Sequence, residues 1–236
     1  MRAKFLGILF YLFIGLGLVT VIPPWLIFCA VFNKRNKFTS IVRPFFAVVF
    51  FLFGIKVEVE GELPKRGKTC FILSNHQSFI DILAILYGIS PSAFLAKKSL
   101  FKVFYFGVLL KYTGSIPVAR GDHRANIELS SQIKNRLENN FPVCAFPEGT
   151  RSANGELLPF KNGIFRIIKD AGVPVLPVTI LNAWKVFPKT HIALYPGTIT
   201  IIPHEVINAN EIENMNFEEL RDKVRSAISS SIPKAE

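Results

Sequence analysis

"TCFILSNHQSFID", residues 69–81, is the stretch whose reading decides the fold. The run from Cys70 to Leu73 is apolar and reads as a buried strand ending near Ser74. A short loop then carries His76, and a helix begins near Ser78. On one continuous helix, residues five apart are turned by roughly 140° about the axis, so His76 and Asp81 would face apart. Only a bend brings them together, and strand, loop and helix supply one, with Asp81 in the first helical turn. From there a carboxylate reaches imidazole Nδ1 and leaves Nε2 free as a base. A second reading uses the same residues: Ser78 and Asp81 have the S-x-x-D spacing of a capping box, which would commit both side chains to helix amides. The seven residues from Asn75 to Asp81 leave both readings open.

Outward from this stretch, short apolar runs alternate with helical patterns. "SAFLAK" (92–97), "FPVCAFP" (141–147), "VPVLPVTI" (173–180) and "GTITIIP" (197–203) join "TCFILS" as strands. Strands alternating with helices predict an α/β fold whose sheet is mixed and largely parallel, flanked by helices. From Glu211 to Ile228 apolar residues recur near helical spacing and predict one surface helix.

A histidine and an aspartate of this kind usually serve a nucleophile. Ser78 is too close in sequence to make a triad, the G-x-S-x-G elbow is absent, and Cys144 sits inside an apolar run that reads as core. The remaining attacking group is a hydroxyl on the substrate, with His76 taking its proton.

"FPEGTRS", residues 146–152, is the second signal. Pro147 and Gly149 make a tight turn that gathers backbone amides, and Arg151 adds a bidentate donor suited to phosphate. The plain alternative is a surface turn with a local Glu148–Arg151 pair. "GSIPVAR" (114–120) delivers Arg120 just past a strand, "FLAKKSL" delivers Lys97 and Lys98, and "LPFKNG" delivers Lys161. Together these form a candidate cationic lining for a phosphate beside the base.

The first third is different in texture. From Phe5 to Asn33 no residue is charged, a run long enough for a bilayer core, and it predicts a membrane segment rather than a cleaved signal peptide. Pro23 and Pro24 interrupt it, so a kinked or re-entrant course and a straight span both fit. The second run, Pro44 to Gly54, covers roughly 17 Å as a helix against a core of ~30 Å and cannot span alone. Every charge before Glu58 is basic. The pattern fits a membrane-embedded two-helix motif in one leaflet over residues 1–55, followed by a catalytic domain over 56–236; a spanning helix plus a core helix is the alternative. The net charge of +11 suits anionic head groups, phosphorylated ligands or nucleic acid. Nucleic acid is disfavoured because the basic residues cluster beside greasy segments and no recognition motif is present. Cys29, Cys70 and Cys144 are odd in number and lack metal-ligand spacing, so neither a disulfide framework nor a metal site is predicted.

NHQSFID, GSIPVAR, FPEGTRS and VPVLPVTI, in this order and at these intervals, resemble the four blocks of the glycerolipid acyltransferase family, over roughly residues 55–205. The likeness is strongest to the bacterial 1-acyl-glycerol-3-phosphate acyltransferases, whose membrane-anchoring helices the N-terminus also resembles. In the second block Ala119 stands where the family often has an aspartate before the arginine; Arg120 itself is kept. The resemblance implies the glycerol-3-phosphate acyltransferase-like fold and an acyl transfer from coenzyme A or acyl carrier protein to the sn-2 hydroxyl of lysophosphatidic acid. It implies His76 as general base and Asp81 as its orienter. It implies acceptor contacts from Lys97, Arg120, Glu148, Gly149, Thr150, Arg151 and Lys161, with amides near Gly149 toward the oxyanion. Neither a metal nor a resident cofactor is called for, since a thioester is already activated. The partners implied are membrane lipids, the lysolipid and the thioester donor, and the place is the cytoplasmic face of a bacterial inner membrane. A lysophospholipid acyltransferase or transacylase acting on a head-group-bearing acceptor, and a non-catalytic binder of anionic lipid, are the competing readings.

Overall fold

Residues 1–21, 24–25, 27–28, 41–64, 69–90, 92–103, 106–118 and 123–233 are described by a computed structural model. Arg120, Cys29, Pro23 and the basic group Lys34, Arg35 and Lys37 lie outside the described residues.

Alternation of side chains explains the layering. In β2 (Phe71–Ser74), Phe71 and Leu73 enter one core and Ile72 the other, and in β5 (Val143–Ala145), Val143 and Ala145 oppose Cys144 in the same way. These strands are buried on both faces, which is why their sequence reads as a continuous apolar run. With β1 (Ile55–Val59), β3 (Ala93–Lys97), β4 (Ile116–Val118), β6 (Val175–Leu181) and β7 (Gly197–Pro203) they form a sheet of order β1-β7-β6-β2-β5-β3-β4. Strands β6, β2, β5, β3 and β4 run parallel; β7 is antiparallel to β6 and carries β1 parallel to itself. The mixed, largely parallel sheet is therefore as expected. The five parallel strands end on one edge, where open α/β sheets bind their ligands.

One face is covered by α5 (His123–Glu138), α6 (Asn162–Ala171) and α9 (Phe217–Ser230). The other is covered by α3 (Ile80–Gly88), α2 (Val42–Leu52) and α1 (Arg2–Thr20). Short helices α4 (Phe106–Tyr112), α7 (Ala183–Val186) and α8 (Ala209–Glu213) fill connections.

Two expectations are corrected. Residues 55–59 form a strand that the sequence reading passed over, because only Ile55 is fully buried and the run Lys56–Glu58 looks like loop. The single tail helix is instead two, α8 and α9. Asn216 breaks it by accepting from Glu219 N at 2.9 Å while the Glu219 carboxylate accepts from Asn216 N at 2.8 Å, a capping box stronger than the periodicity around it.

The long uncharged run is not one helix either: α1 stops at Thr20, and among the described residues no helix is long and apolar enough to cross a membrane. Helix α1 lies on the α/β domain. Gly7 packs on the backbone of Ala193, Phe10 meets Phe53 and Phe187, and Gly17 abuts the Phe45 ring of α2. The opposite stripe, Phe5, Ile8, Leu12, Leu16 and Val19, is exposed, and Phe51 of α2 is 84% exposed. These helices are apolar on both sides, with one side serving the protein core.

Candidate active site

At the end of β2 the chain leaves the sheet through Asn75, whose amide group donates to Ile180 O at 2.9 Å and accepts from Ile180 N at 2.7 Å. This clamp ties the start of the loop to β6, one residue before His76. The backbone of His76 is then gripped from both sides: its N–H donates to Glu148 Oε1 at 2.8 Å, and its carbonyl accepts from Ser152 N at 2.7 Å. The two motifs thus share one hydrogen-bonded frame.

His76 Nδ1 lies 2.8 Å from Asp81 Oδ2. That same oxygen accepts from Gln77 N at 2.6 Å and Ser78 N at 2.8 Å. The carboxylate thus orders the loop amides and the imidazole together, while the other half of the capping box does not form: Asp81 N donates to the backbone carbonyl of Ser78. An oxygen already facing two N–H donors calls for a third at Nδ1, which leaves Nε2 as the acceptor of the ring. The ring is stacked on Phe146, centroids 3.9 Å apart and planes 12° apart, and its side chain is 16% exposed. Asp81 is fully buried. Ser78 is no nucleophile, since its hydroxyl donates to Phe187 O and accepts from Ile80 N. Cys144 is fully buried, and burial with the charge of Asp81 pushes its thiol well up, away from thiolate.

The second motif forms a turn in which Gly149 takes a φ of +66°. Its N–H donates to Phe146 O at 3.0 Å, so the amide of Gly149 itself is committed to the turn. Lys161 lies across it: a β-carbon at 149 would stand 2.7 Å from Lys161 Nζ. Gly149, Thr150, Arg151 and Lys161 are thereby brought together. Lys97 ends β3 on the same sheet edge, exposed, and pairs in register with Val118 of β4. Glu148 forms no ion pair with Arg151 among the described residues. It is 2% exposed, with Oε1 on His76 N and Oε2 on Leu158 N at 3.2 Å. Burial raises its carboxyl from 4.5 to about 7 against the pull of those two amides. Glu148 therefore acts on the site through the backbone of His76.

Sequence reasoning missed Asn75 and Phe146, which sit inside the quoted motifs beside the residues it chose. It also missed Lys189, whose ammonium donates to Arg151 O at 2.7 Å and Thr150 Oγ1 at 3.4 Å and which no local pattern marks.

Residues 56–181 match the family model described as Acyltransferase. The chain is 30% identical over 196 residues to a 1-acyl-sn-glycerol-3-phosphate acyltransferase of Helicobacter pylori, covering 82% of each, and 35% identical over 164 residues to that of Haemophilus influenzae, covering 64% of this chain and 68% of the relative. A Chlamydomonas reinhardtii relative of the same name is 34% identical over 75% of this chain, which spans 53% of that protein's length. The crystal structure of the 1-acyl-sn-glycerophosphate acyltransferase PlsC of Thermotoga maritima superposes with a TM-score of 0.85 at 27% identity, covering 98% of this chain and 97% of that one. With the histidine, the aspartate and the cationic turn inside the matched span, the chain belongs to the acyltransferase family of enzymes.

Proposed function

We propose that this enzyme moves an acyl group from a thioester of coenzyme A or acyl carrier protein to the sn-2 hydroxyl of 1-acyl-glycerol-3-phosphate, giving phosphatidic acid for phospholipid synthesis. The observation that carries the reading is the 2.8 Å contact of His76 Nδ1 with a buried Asp81 at the same sheet edge as the cationic turn. His76 Nε2 takes the proton of the acceptor hydroxyl as its oxygen attacks the thioester carbonyl. The tetrahedral intermediate collapses by breaking the C–S bond, and the leaving sulfur takes the proton from the imidazolium, which returns His76 to its neutral form. Asp81 holds the ring and stabilises its charged form, a contribution of the order of 10² to 10⁴ in rate. Arg151, Lys161, Lys97 and Arg120 hold the phosphate and so point the hydroxyl at His76. Glu148 and Lys189 keep the loop in place. Residues 1–55 seat the enzyme in the cytoplasmic leaflet, where the lysolipid lies, and residues 56–236 carry out the transfer.

The test is product analysis by mass spectrometry, supplying lysophosphatidic acid or lysophosphatidylcholine with each donor. Phosphatidic acid should form, and His76→Ala should abolish it while leaving vesicle binding intact. Preference for lysophosphatidylcholine would reject the acceptor proposed, and full turnover by the alanine variant would reject the mechanism.

A further inference from the structure

We propose that residues 184–195 are a second membrane contact, whose lysines and histidine bind the phosphates of anionic lipids in the leaflet that receives the outer stripe of α1. This segment and α1 are built as one surface. Leu194 N donates to Ala3 O at 2.9 Å, Ala193 packs on Gly7, and Phe187 lies under Phe10 and Tyr11 at ring separations of 5.3 and 5.2 Å. Ala3 sits between the exposed Arg2 and Lys4 and two residues before the exposed Phe5, so the tie sets the segment beside a basic, apolar helix start.

The segment's outward side has the chemistry of a bilayer interface. Lys185, Lys189 and His191 are exposed, and Ile192 is 53% exposed next to them. A cleft of about 350 Å³ opens between Trp184, Lys185, Thr190, His191 and Tyr195. The Lys185 ammonium rests 5.5 Å over the Trp184 ring, and that indole in turn covers Gly155. Aromatic rings with cationic tips are the side chains that collect at head-group level. The sequence contains no Asp or Glu from residue 171 to residue 204 and none before Glu58, so nothing acidic on either partner opposes an anionic surface. Lys189, which also bonds Arg151 O, stands between this surface and the turn proposed to hold the acceptor phosphate.

This deepens the lysolipid reading, and its test does not depend on turnover. Full-length protein carrying Cys29→Ser and Ile192→Cys, labelled with an environment-sensitive fluorophore, should show a blue shift on vesicles of phosphatidylcholine mixed with phosphatidylglycerol. A label at Asn139→Cys, at the far end of the sheet, should not respond. Lys185→Glu combined with His191→Glu should weaken binding to the mixed vesicles by about fivefold or more, with binding to pure phosphatidylcholine unchanged. The charge variant should keep turnover on dispersed short-chain lysophosphatidic acid, which also shows that it folds. A silent label at 192, unchanged affinity of the charge variant, or a label that responds only to an acidic acyl carrier protein would each overturn the proposal. Loss of turnover on the dispersed substrate in wild-type protein that still docks would instead strike the acyl-transfer reading.

Discussion

One carboxylate oxygen, Asp81 Oδ2, receives the Gln77 and Ser78 amides and the His76 imidazole together. An asparagine whose one oxygen stands where Oδ2 does keeps these three contacts but loses the negative charge that stabilises the imidazolium, and it sets an NH2 donor at the buried Oδ1 position, which has no hydrogen-bond partner. Asp81→Asn should therefore lower kcat by about 10² to 10⁴ while the KM for the lysolipid stays near wild type, as steady-state kinetics would show. A comparable rise in KM would mean that Asp81 orders the acceptor site rather than the base. His76 is also held from behind, by the Phe146 ring and by its own backbone bonds to Glu148 and Ser152.

At the scale of elements, the turn between β5 and α6 is the part proposed to hold the acceptor phosphate. Gly149 is in the left-handed region, and the space a side chain would need is taken by Lys161. Gly149→Ala should cost about 1 to 2 kcal/mol in backbone strain and displace the ammonium. The expected result is a raised KM for the phosphorylated acceptor with a smaller change in kcat, measured against a thioester donor at saturation. If KM is unaffected, Lys161 does not hold the phosphate. The helices were easier to read than their ends: a periodic tail was legible, but the Asn216 capping box that divides it was outvoted by the apolar spacing on either side.

For the whole molecule, Glu148 joins the two motif loops from inside the core, and this has a consequence for stability. Its folded-state carboxyl, raised to about 7, holds a proton that the unfolded chain releases near 4.5. Its contribution is therefore full below about 4.5 and is lost as pH rises through about 7. Thermal melts of wild type should lose stability over that window, and Glu148→Gln should flatten the loss, although leaving one amide without an acceptor lowers its melting point throughout. An unchanged pH slope in the glutamine variant would show that the titrating group lies elsewhere.

The sequence by itself determined the local pieces: apolar runs long enough only for buried strands, a bend between His76 and Asp81, and a glycine turn carrying an arginine. These follow from periodicity and backbone geometry within a few residues. The edge strand β1 escaped because its pattern is half exposed and its pairing partner, β7, lies more than a hundred residues away. Tertiary structure alone decided that β2 and β5 are neighbours, that Glu148 supports His76 while Lys189 supports Arg151, and that α1 lies on the domain. Those contacts depend on crossovers that bring parallel strand ends to one edge, and no local spacing encodes which distant strand will arrive there.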